Sequence, residues 1–403
     1  MNRNDARTGH LPTLIACFLH FDLSFMLWVL LGALGVFAAS AAGLNVAQKG
    51  LMVAVPILSG SLLRIPLGIL SDRIGGRRAG MALLAFLFVP LGLGWLWASS
   101  FSSLLAVGLT LGVGGASFAV ALPLASRWYP PERQGLAMGI AAAGNSGTVL
   151  TNLVAPRLAS AFGWHAVFGL AMVPLTVVLI AFALLARDTP AVTKRGSRPL
   201  ALLQHSDLWW LCTFYAVTFG GYVGLSSFLP IFFRDQFAVS PVSAGYLTAL
   251  AAFAGSGARP IGGWLADRVG GVRLLAVLLL CIAGAYALIA RLPSLASIEV
   301  LLVSGMMCLG MANGAVFQVV PQRFPREIGA ATGVIGALGG LGGFALPTLL
   351  GAMKQRTGSF GAGFATLAVA AFVAAIFLIV LVASQSRWRV RAGEELGEEL
   401  EVA

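Results

Sequence analysis

The feature that most constrains this chain is its succession of long apolar runs. Runs of roughly 20 or more residues recur along the sequence, and a helix needs about 20 residues to cross about 30 Å of hydrocarbon. Only 10% of the residues are charged, against about 25% in a soluble domain. The chain is therefore predicted to be an all-α polytopic membrane protein, and the scarcity of charge excludes a water-soluble enzyme or nucleic-acid-binding protein.

Twelve transmembrane spans are predicted from these runs. They cover residues 11–38, 46–70, 79–98, 101–126, 135–160, 166–187, 208–233, 242–266, 272–292, 296–321, 328–352 and 361–384. One long polar connection divides them, which predicts a six-helix bundle at 1–187, a cytoplasmic linker at 188–207, a second bundle at 208–386 and a cytoplasmic tail at 387–403. The first run is far longer than the about 7–15 apolar residues of a signal peptide, so we expect it to be retained.

Basic residues are distributed unevenly between the two sides of the predicted membrane. Eighteen of the 26 fall in the tails and in the connections on the same side, and six fall opposite. The positive-inside rule then predicts that both tails are cytoplasmic. The net charge of +11 is therefore attributed to basic residues that set the membrane topology, and no nucleic-acid partner is predicted. The two remaining basic residues, Arg64 and Arg259, lie within apolar runs.

The two halves of the chain contain an internal repeat. The sequence RIPLG at 64–68 leads to Asp72-Arg73, and RPIGG at 259–263 leads to Asp267-Arg268, at a constant offset of 195 residues. The same offset relates Gly144 to Gly339. A single offset at distant sites indicates two parallel six-helix repeats, the arrangement of major facilitator transporters, whose substrate site lies between the halves near the membrane midplane.

The segments after spans two and eight share the pattern Gly-x-x-x-Asp-Arg-x-Gly-Gly-x-Arg, which resembles the cytoplasmic gating motif of that superfamily. The resemblance implies a gating role for Asp72, Arg73, Asp267 and Arg268. The alternative is that these basic residues only set the topology, and the two roles are compatible.

Arg64 and Arg259 are predicted near mid-membrane, where an arginine costs about 2.5–3.5 kcal/mol on insertion scales. Of the 15 acids, only Asp22 is predicted inside the membrane, whereas Glu299 is assigned to a connection. One acid cannot neutralise two arginines, so the pair is predicted to bind a small anion. The planar guanidinium fork favours a planar oxyanion, and a structural ion pair is the alternative.

Three motifs resemble the nitrate/nitrite porter family of the major facilitator superfamily, and the resemblance covers nearly the whole chain. They are SGSLLRIP at 59–66, AGNSGT at 143–148 and GGLGGFALP at 339–347. The resemblance implies transport of nitrate, and of nitrite, through a site formed by Arg64, Arg259, Asn145, Tyr215, Phe25, Phe118, Phe219, Gly144 and Gly340. For the two glycines, ordinary close packing of helices is the alternative.

Asp22 and His20 in the first span are candidates for proton coupling, since intramembrane acids and histidines often relay protons. The segment 21–25 resembles the proton-coupled branch of the family, so nitrate/proton symport is expected. Nitrate/nitrite exchange is the alternative, and transport of another small organic anion is a further one. For Asp22, the alternative is that it pairs with His20 or Arg64, or hydrogen-bonds to a helix end, without titrating during transport. A receptor or channel is disfavoured because the repeat favours alternating access.

The sequence contains no nucleotide-binding loop, metal-ligand spacing or nucleophile arrangement, so neither an enzyme nor a cofactor is predicted. Cys17, Cys212, Cys281 and Cys308 all lie in apolar runs and are interpreted as core residues. The expected location is the bacterial inner membrane, with a role in nitrate assimilation. The acidic tail indicates no protein partner.

Overall fold

The computed structural model describes residues 9–129, 140–141, 143–188, 202–324, 328–384 and 388. Residues 189–201 of the predicted linker, and all of the predicted tail except 388, lie outside these ranges.

Within the described ranges, the helices form twelve successive spans, as the sequence predicted. Span 1 consists of Leu11–Trp28, Leu30–Ala33 and Gly35–Ala41, span 2 is Val46–Ile74, and span 3 consists of Gly76–Phe86 and Phe88–Leu96. Span 4 consists of Phe101–Leu111, the 3₁₀ stretch Gly112–Ser117 and Phe118–Ser126. Span 5 consists of the 3₁₀ turn Ala143–Ser146 and Gly147–Phe162, and span 6 is Trp164–Leu185. Spans 7 to 12 are Ser206–Phe237, Pro241–Val269, Gly271–Ile289, Leu295–Arg323, Ile328–Thr357 and Gly361–Ser384.

Ten helices of the described residues are long and apolar enough to cross a membrane. The two spans outside this group are span 5, whose described α-helix has only 16 residues, and span 8, a 29-residue helix. Span 8 is long enough, but its glycines, serines and Arg259 lower its hydropathy. Spans 5 and 8 are both among the spans that were predicted to line the substrate site.

The two halves pack with the same neighbour relations, which confirms the parallel repeat. Span 2 packs on span 4 as span 8 packs on span 10, and span 3 packs on span 6 as span 9 packs on span 12. Between the halves, span 2 packs on span 11 and span 5 packs on span 8. These two contacts are related by the same repeat, so the interface between the halves is pseudo-symmetric.

Glycines make the tight turns that the repeated motif requires. Span 2 ends at Gly75, with φ 95°, and span 8 ends at Gly270, with φ 89°. Such positive φ values are readily adopted only by glycine. We call the end of the bundle that contains these turns the motif end, and the other end the opposite end.

Two expectations from the sequence are wrong. Glu299 was assigned to a connection although the predicted span 296–321 includes it, and it lies in the second turn of the span 10 helix, which Ser294 caps. Cys281 was interpreted as a core residue, but it is exposed on the outside of the bundle, whereas Cys17 and Cys212 are buried.

Candidate functional site

Arg64 is buried in the middle of span 2, with only 2% of its surface exposed. Its Nε donates to the carbonyl oxygen of Gly115 at 3.0 Å, and Nη1 donates to the carbonyl oxygen of Gly336 in span 11. Nη2 is buried and has no hydrogen-bond partner among the described residues. One side of the guanidinium fork is therefore held by backbone, and the other retains donor capacity for an anion.

The local backbone explains why the carbonyl of Gly115 is available. Span 4 changes from an α-helix to a 3₁₀ stretch over Gly112–Ser117, and such a change alters the pattern of hydrogen bonds along the helix. The indole of Trp28 packs against Gly115, where a Cβ atom would lie only 2.3 Å from the ring. Glycine is thus required at this position for spans 1, 2 and 4 to meet.

Aromatic rings surround the Arg64 guanidinium on three sides. Its Cζ lies 5.6 Å from the ring centre of Trp28, 5.2 Å from that of Phe118 and 5.1 Å from that of Phe219. Arginine is attracted to an aromatic face within about 6 Å. These rings stabilise the charge while excluding water.

Arg259 lies at the repeat-related position in span 8 and is half-buried. Its Nη2 donates to the Tyr215 hydroxyl at a long 3.5 Å, and its Cζ lies 5.5 Å from the ring centre of Phe317. Tyr215 stacks on Phe219 with 4.9 Å between ring centres, so one aromatic stack joins the two arginines.

A single cluster therefore brings together Arg64, Arg259, Tyr215, Phe118 and Phe219, as the sequence predicted them to meet. Phe317 closes it, with ring centres 5.0 Å from Tyr215 and 6.4 Å from Phe118. Among the described residues, neither arginine has a carboxylate within ion-pair distance. The arrangement concentrates positive charge in a dry aromatic slot, which favours a small anion.

Asn145 lies in the 3₁₀ turn Ala143–Ser146 at the start of span 5 and is 4% exposed. Its side-chain oxygen is buried without a partner in the described part of the chain. Gly144 in the same turn packs on span 1, where a Cβ would lie 2.8 Å from the backbone nitrogen of Asp22. The contacts of Gly144 are thus those of helix packing.

Asp22 is half-buried and accepts a hydrogen bond from the Ser146 hydroxyl at 2.7 Å. It forms no ion pair with Arg64 or His20 among the described residues. Its carboxylate is therefore joined to the turn that contains Asn145 and not to the buried arginine.

His20 lies on another face of span 1 and is fully buried. Its Nε2 is 3.2 Å from the carbonyl oxygen of Gly80 in span 3, and its ring packs on Phe182 of span 6 at 4.7 Å. The structure thus places His20 inside the first half and does not bring it to the arginine cluster.

Phe25 and Gly340 border the cluster without touching either guanidinium in the recorded contacts. Phe25 packs edge-on against Trp28 at 4.9 Å between ring centres. Gly340 of span 11 faces Ser61 of span 2, whose Cβ would lie 2.7 Å from a Cβ added to the glycine. Gly340 therefore allows close approach of the two halves.

The sequence did not single out three residues that contact Arg64 or Arg259, nor one buried polar residue at a repeat-related position. Trp28 and Phe317 contact the arginines, and Gly336 accepts a hydrogen bond from Arg64. Asn313 has a buried side-chain oxygen without a partner in the described residues, and it is related to Phe118 by the 195-residue offset. That offset was the one signal available for finding Asn313, whereas Trp28 and Phe317 resemble ordinary core aromatics.

The two repeated Asp-Arg motifs, which were predicted to act in gating, have different surroundings. In the first, Asp72 forms an ion pair with Arg127 at the end of span 4. In the second, Arg268 lies flat on Trp264, 3.9 Å from its ring centre. No partner is recorded for Arg73 or Asp267 among the described residues.

Polar contacts join the two halves at the opposite end and also near the middle of the bundle. Lys49 of span 2 forms an ion pair with Asp235 of span 7 at 2.7 Å. The Tyr222 hydroxyl of span 7 is 2.9 Å from the Thr148 hydroxyl of span 5. Toward the motif end, no described atom lies within 4 Å of a Cβ placed on Gly333, one turn from Gly336.

The chain matches the Major Facilitator Superfamily model over residues 16–347. It is 33% identical to the "Nitrite extrusion protein" of Bacillus subtilis (strain 168), over 88% of this chain and 91% of that protein. It is 34% identical to the "Probable nitrate/nitrite antiporter NarK1" of Thermus thermophilus, over 87% of each.

Among solved structures, the chain is similar to a bacterial homologue of the human lysosomal transporter Spinster in an inward-facing, occupied conformation. The TM-score is 0.66 at 21% sequence identity, with 92% of this chain and 94% of that chain covered. This likeness shows the fold alone.

Proposed function

The chain belongs to the nitrate/nitrite porter family of the major facilitator superfamily, and we propose that it carries nitrate and nitrite across a membrane by alternating access. The observation that carries this proposal is the pair Arg64 and Arg259. They come from opposite halves, contact one aromatic cluster and have no carboxylate partner among the described residues.

In this proposal, the anion lies between the two guanidiniums. Arg64 offers its Nη2, and the weak 3.5 Å contact between Arg259 and the Tyr215 hydroxyl is exchanged for a bond to a nitrate oxygen. The aromatic slot limits the size of the anion and disfavours strongly hydrated ions, which would lose their water there. Asn145 is a further donor through its amide nitrogen.

We propose proton symport as the coupling. Entry of an anion against an inside-negative potential costs about 2.3 kcal/mol per charge per 100 mV, and proton entry offsets this cost. Asp22 is the proposed proton carrier, because the Ser146 hydroxyl joins its carboxylate directly to the turn that contains Asn145. His20 is a weaker candidate, since its contacts lie between spans 3 and 6.

Nitrate/nitrite exchange is the second candidate, and one contact favours it. Arg64 donates across the interface to the carbonyl oxygen of Gly336. The halves would have to break this link to reorient, and an exchanger requires that they reorient only with an anion bound. The names of two relatives include nitrite extrusion and nitrate/nitrite antiport, which is consistent with this reading.

The proposed orientation puts the motif end and both tails in the cytoplasm of a bacterial inner membrane, with bundles at 1–187 and 208–386. The contact of Lys49 with Asp235 would then close the periplasmic side.

Nitrate uptake by proteoliposomes tests the clamp. We expect Arg64→Lys and Arg259→Lys each to reduce the uptake rate at least about tenfold, because lysine keeps the charge but loses the planar fork. Arg291→Lys, at an exposed residue just after span 9, is the matched control and keeps normal uptake. Near-normal uptake by both site variants would exclude a two-arginine clamp.

A further inference from the structure

A groove of about 420 Å³ lies at the motif end of spans 8 and 9 and shares no lining residue with the arginine cluster. It is lined by Arg268, Val269, Arg273, Leu274 and Val277. Val269 and Val277 are 42% and 57% exposed, so the walls are apolar surface on the outside of the bundle. The groove thus combines two cations with side chains that face lipid.

In the first half, the protein's own carboxylates occupy the corresponding region. Asp72 pairs with Arg127. Asp188, just after span 6, accepts a hydrogen bond from the backbone N–H of Arg77 at 2.9 Å. The same carboxylate lies against Gly75, where a Cβ would be 2.6 Å from its oxygen. The motif turn of the first half is therefore covered by the Asp188 carboxylate.

The second half lacks the counterpart of Asp188, since Ala383 stands in its place at the 195-residue offset. Gln322 stands in place of Arg127, so Asp267 has no ion-pair partner among the described residues. No described atom lies within 4 Å of a Cβ placed on Gly270. Neither Arg268 nor Arg273 has a carboxylate within ion-pair distance in the described residues. In the described part of the chain, the second motif turn is thus uncovered, and the two groove arginines stand beside one motif carboxylate, Asp267.

We propose that this groove binds an anionic phospholipid. The phosphate lies between Arg268 and Arg273, and an acyl chain lies along the wall of Val269, Leu274 and Val277. Basic pockets next to apolar surface at the end of transmembrane helices suit such head groups. Trp264, which is 53% exposed beneath Arg268, has the position of an interfacial tryptophan.

An acidic peptide fits the groove less well than a lipid does. Its charges would meet the two arginines, but the three aliphatic side chains below them would gain nothing from a polar chain. A lipid satisfies both parts of the groove because its head group and acyl chain are covalently joined. The site does not depend on which anion the protein transports.

Quenching of Trp264 fluorescence tests the proposal in the full-length protein. The protein is titrated in detergent micelles with phosphatidylglycerol or phosphatidylcholine brominated on the same acyl chain, and the signal of a Trp264→Phe variant is subtracted. We expect phosphatidylglycerol to reach half-maximal quenching at a mole fraction at least about fivefold lower than phosphatidylcholine does.

The double variant Arg268→Gln/Arg273→Gln should make the two lipids reach half-maximal quenching at nearly the same mole fraction, so that the ratio of the two mole fractions is close to one. The repeat-related control Arg73→Gln/Arg78→Gln should leave this ratio unchanged. Equal quenching by the two lipids in the unmodified protein would overturn the proposal, as would a ratio that survives the double variant. Relief of the quenching by millimolar glycerol phosphate would instead indicate a site for free phosphate. A preference for phosphatidylglycerol over phosphatidylcholine that appears only after the tail glutamates are changed to glutamine would show that the tail occupies the groove.

Discussion

Arg64 is tolerated inside the membrane because its neighbours compensate for lost hydration. Two backbone carbonyls and three aromatic rings surround it. The sequence indicated a buried arginine, since its apolar flanks leave no route to water. It did not indicate these partners, which come from spans 1, 4, 7 and 11 and are distant along the chain.

At the residue scale, Asp22→Asn should abolish stimulation of nitrate uptake by an inward proton gradient. Asparagine has nearly the same shape and keeps an oxygen for the Ser146 hydroxyl, so the fold is retained while the titratable group is lost. The measurement is initial uptake in proteoliposomes with and without a pH gradient, with nitrite absent from the lumen.

Glu299→Gln is the matched control for this experiment. Glu299 is the other acid well inside a span, and both of its carboxylate oxygens are buried without a partner among the described residues. The control should respond to the gradient as the unmodified protein does. A gradient response that persists in Asp22→Asn would remove Asp22 from the coupling, and uptake that requires internal nitrite would favour exchange.

At the scale of the elements, two interruptions of regular helix build the site. The 3₁₀ stretch Gly112–Ser117 presents the carbonyl oxygen of Gly115 to Arg64. The 3₁₀ turn Ala143–Ser146 holds Asn145 and Ser146 against span 1. Glycines made such breaks plausible, but glycine also serves simple close packing, so the sequence left the two roles unresolved. Gly340 proved to be a packing glycine and Gly115 to be part of the site.

The close contact between spans 2 and 11 predicts that Gly50→Ala destabilises the folded protein. An added Cβ would lie 2.4 Å from the carbonyl oxygen of Pro347 and 3.2 Å from the Cα of Gly351, and backbone cannot move aside as a flexible side chain can. Overpacking of this kind costs about 1–3 kcal/mol. We expect a lower midpoint of thermal unfolding in detergent.

Gly284→Ala in span 9 is the control, because nothing lies within 4 Å of its Cβ position. Replacing a helical glycine in open space should be neutral or stabilising, by about 0.5–1 kcal/mol. If the two variants melted alike, the close approach at Gly50 would not limit the packing of the halves.

At the scale of the whole molecule, polar contacts join the halves at the opposite end and through the hydroxyl of Tyr222. The ion pair of Lys49 with Asp235 is nearly four-fifths buried, and alternating access requires it to break. Because the cost of removing both charges from water offsets much of their attraction, the net contribution of this pair is set at about 1 kcal/mol, the upper value for exposed pairs. Loss of this ion pair should therefore shift the equilibrium constant between the conformations open and closed at the opposite end by up to about fivefold, without locking the protein in either conformation.

We expect Lys49→Asp or Asp235→Lys to increase opening at this end, and the exchanged double variant Lys49→Asp/Asp235→Lys to restore closure. The reporter is a cysteine placed at Ser227, which packs against Gly32 across the interface, in a background without native cysteines. Its rate of labelling by a membrane-impermeant maleimide measures the opening. Failure of the double variant to restore slow labelling would mean that the pair does not act as a latch.

The sequence by itself determined the class of fold, because apolar run length and a constant 195-residue offset do not depend on long-range contacts. The resemblance carried by its motifs implied that Arg64, Arg259, Tyr215, Phe118 and Phe219 share a site, and in the structure these side chains lie in one cluster. Only the tertiary structure decided where the two polar candidates of span 1 point: Asp22 is hydrogen-bonded to Ser146, in the turn that contains Asn145, whereas His20, two residues earlier, faces spans 3 and 6. The physical reason is helical geometry. Residues two apart on a helix point to nearly opposite sides, and which side meets the site depends on how the spans pack.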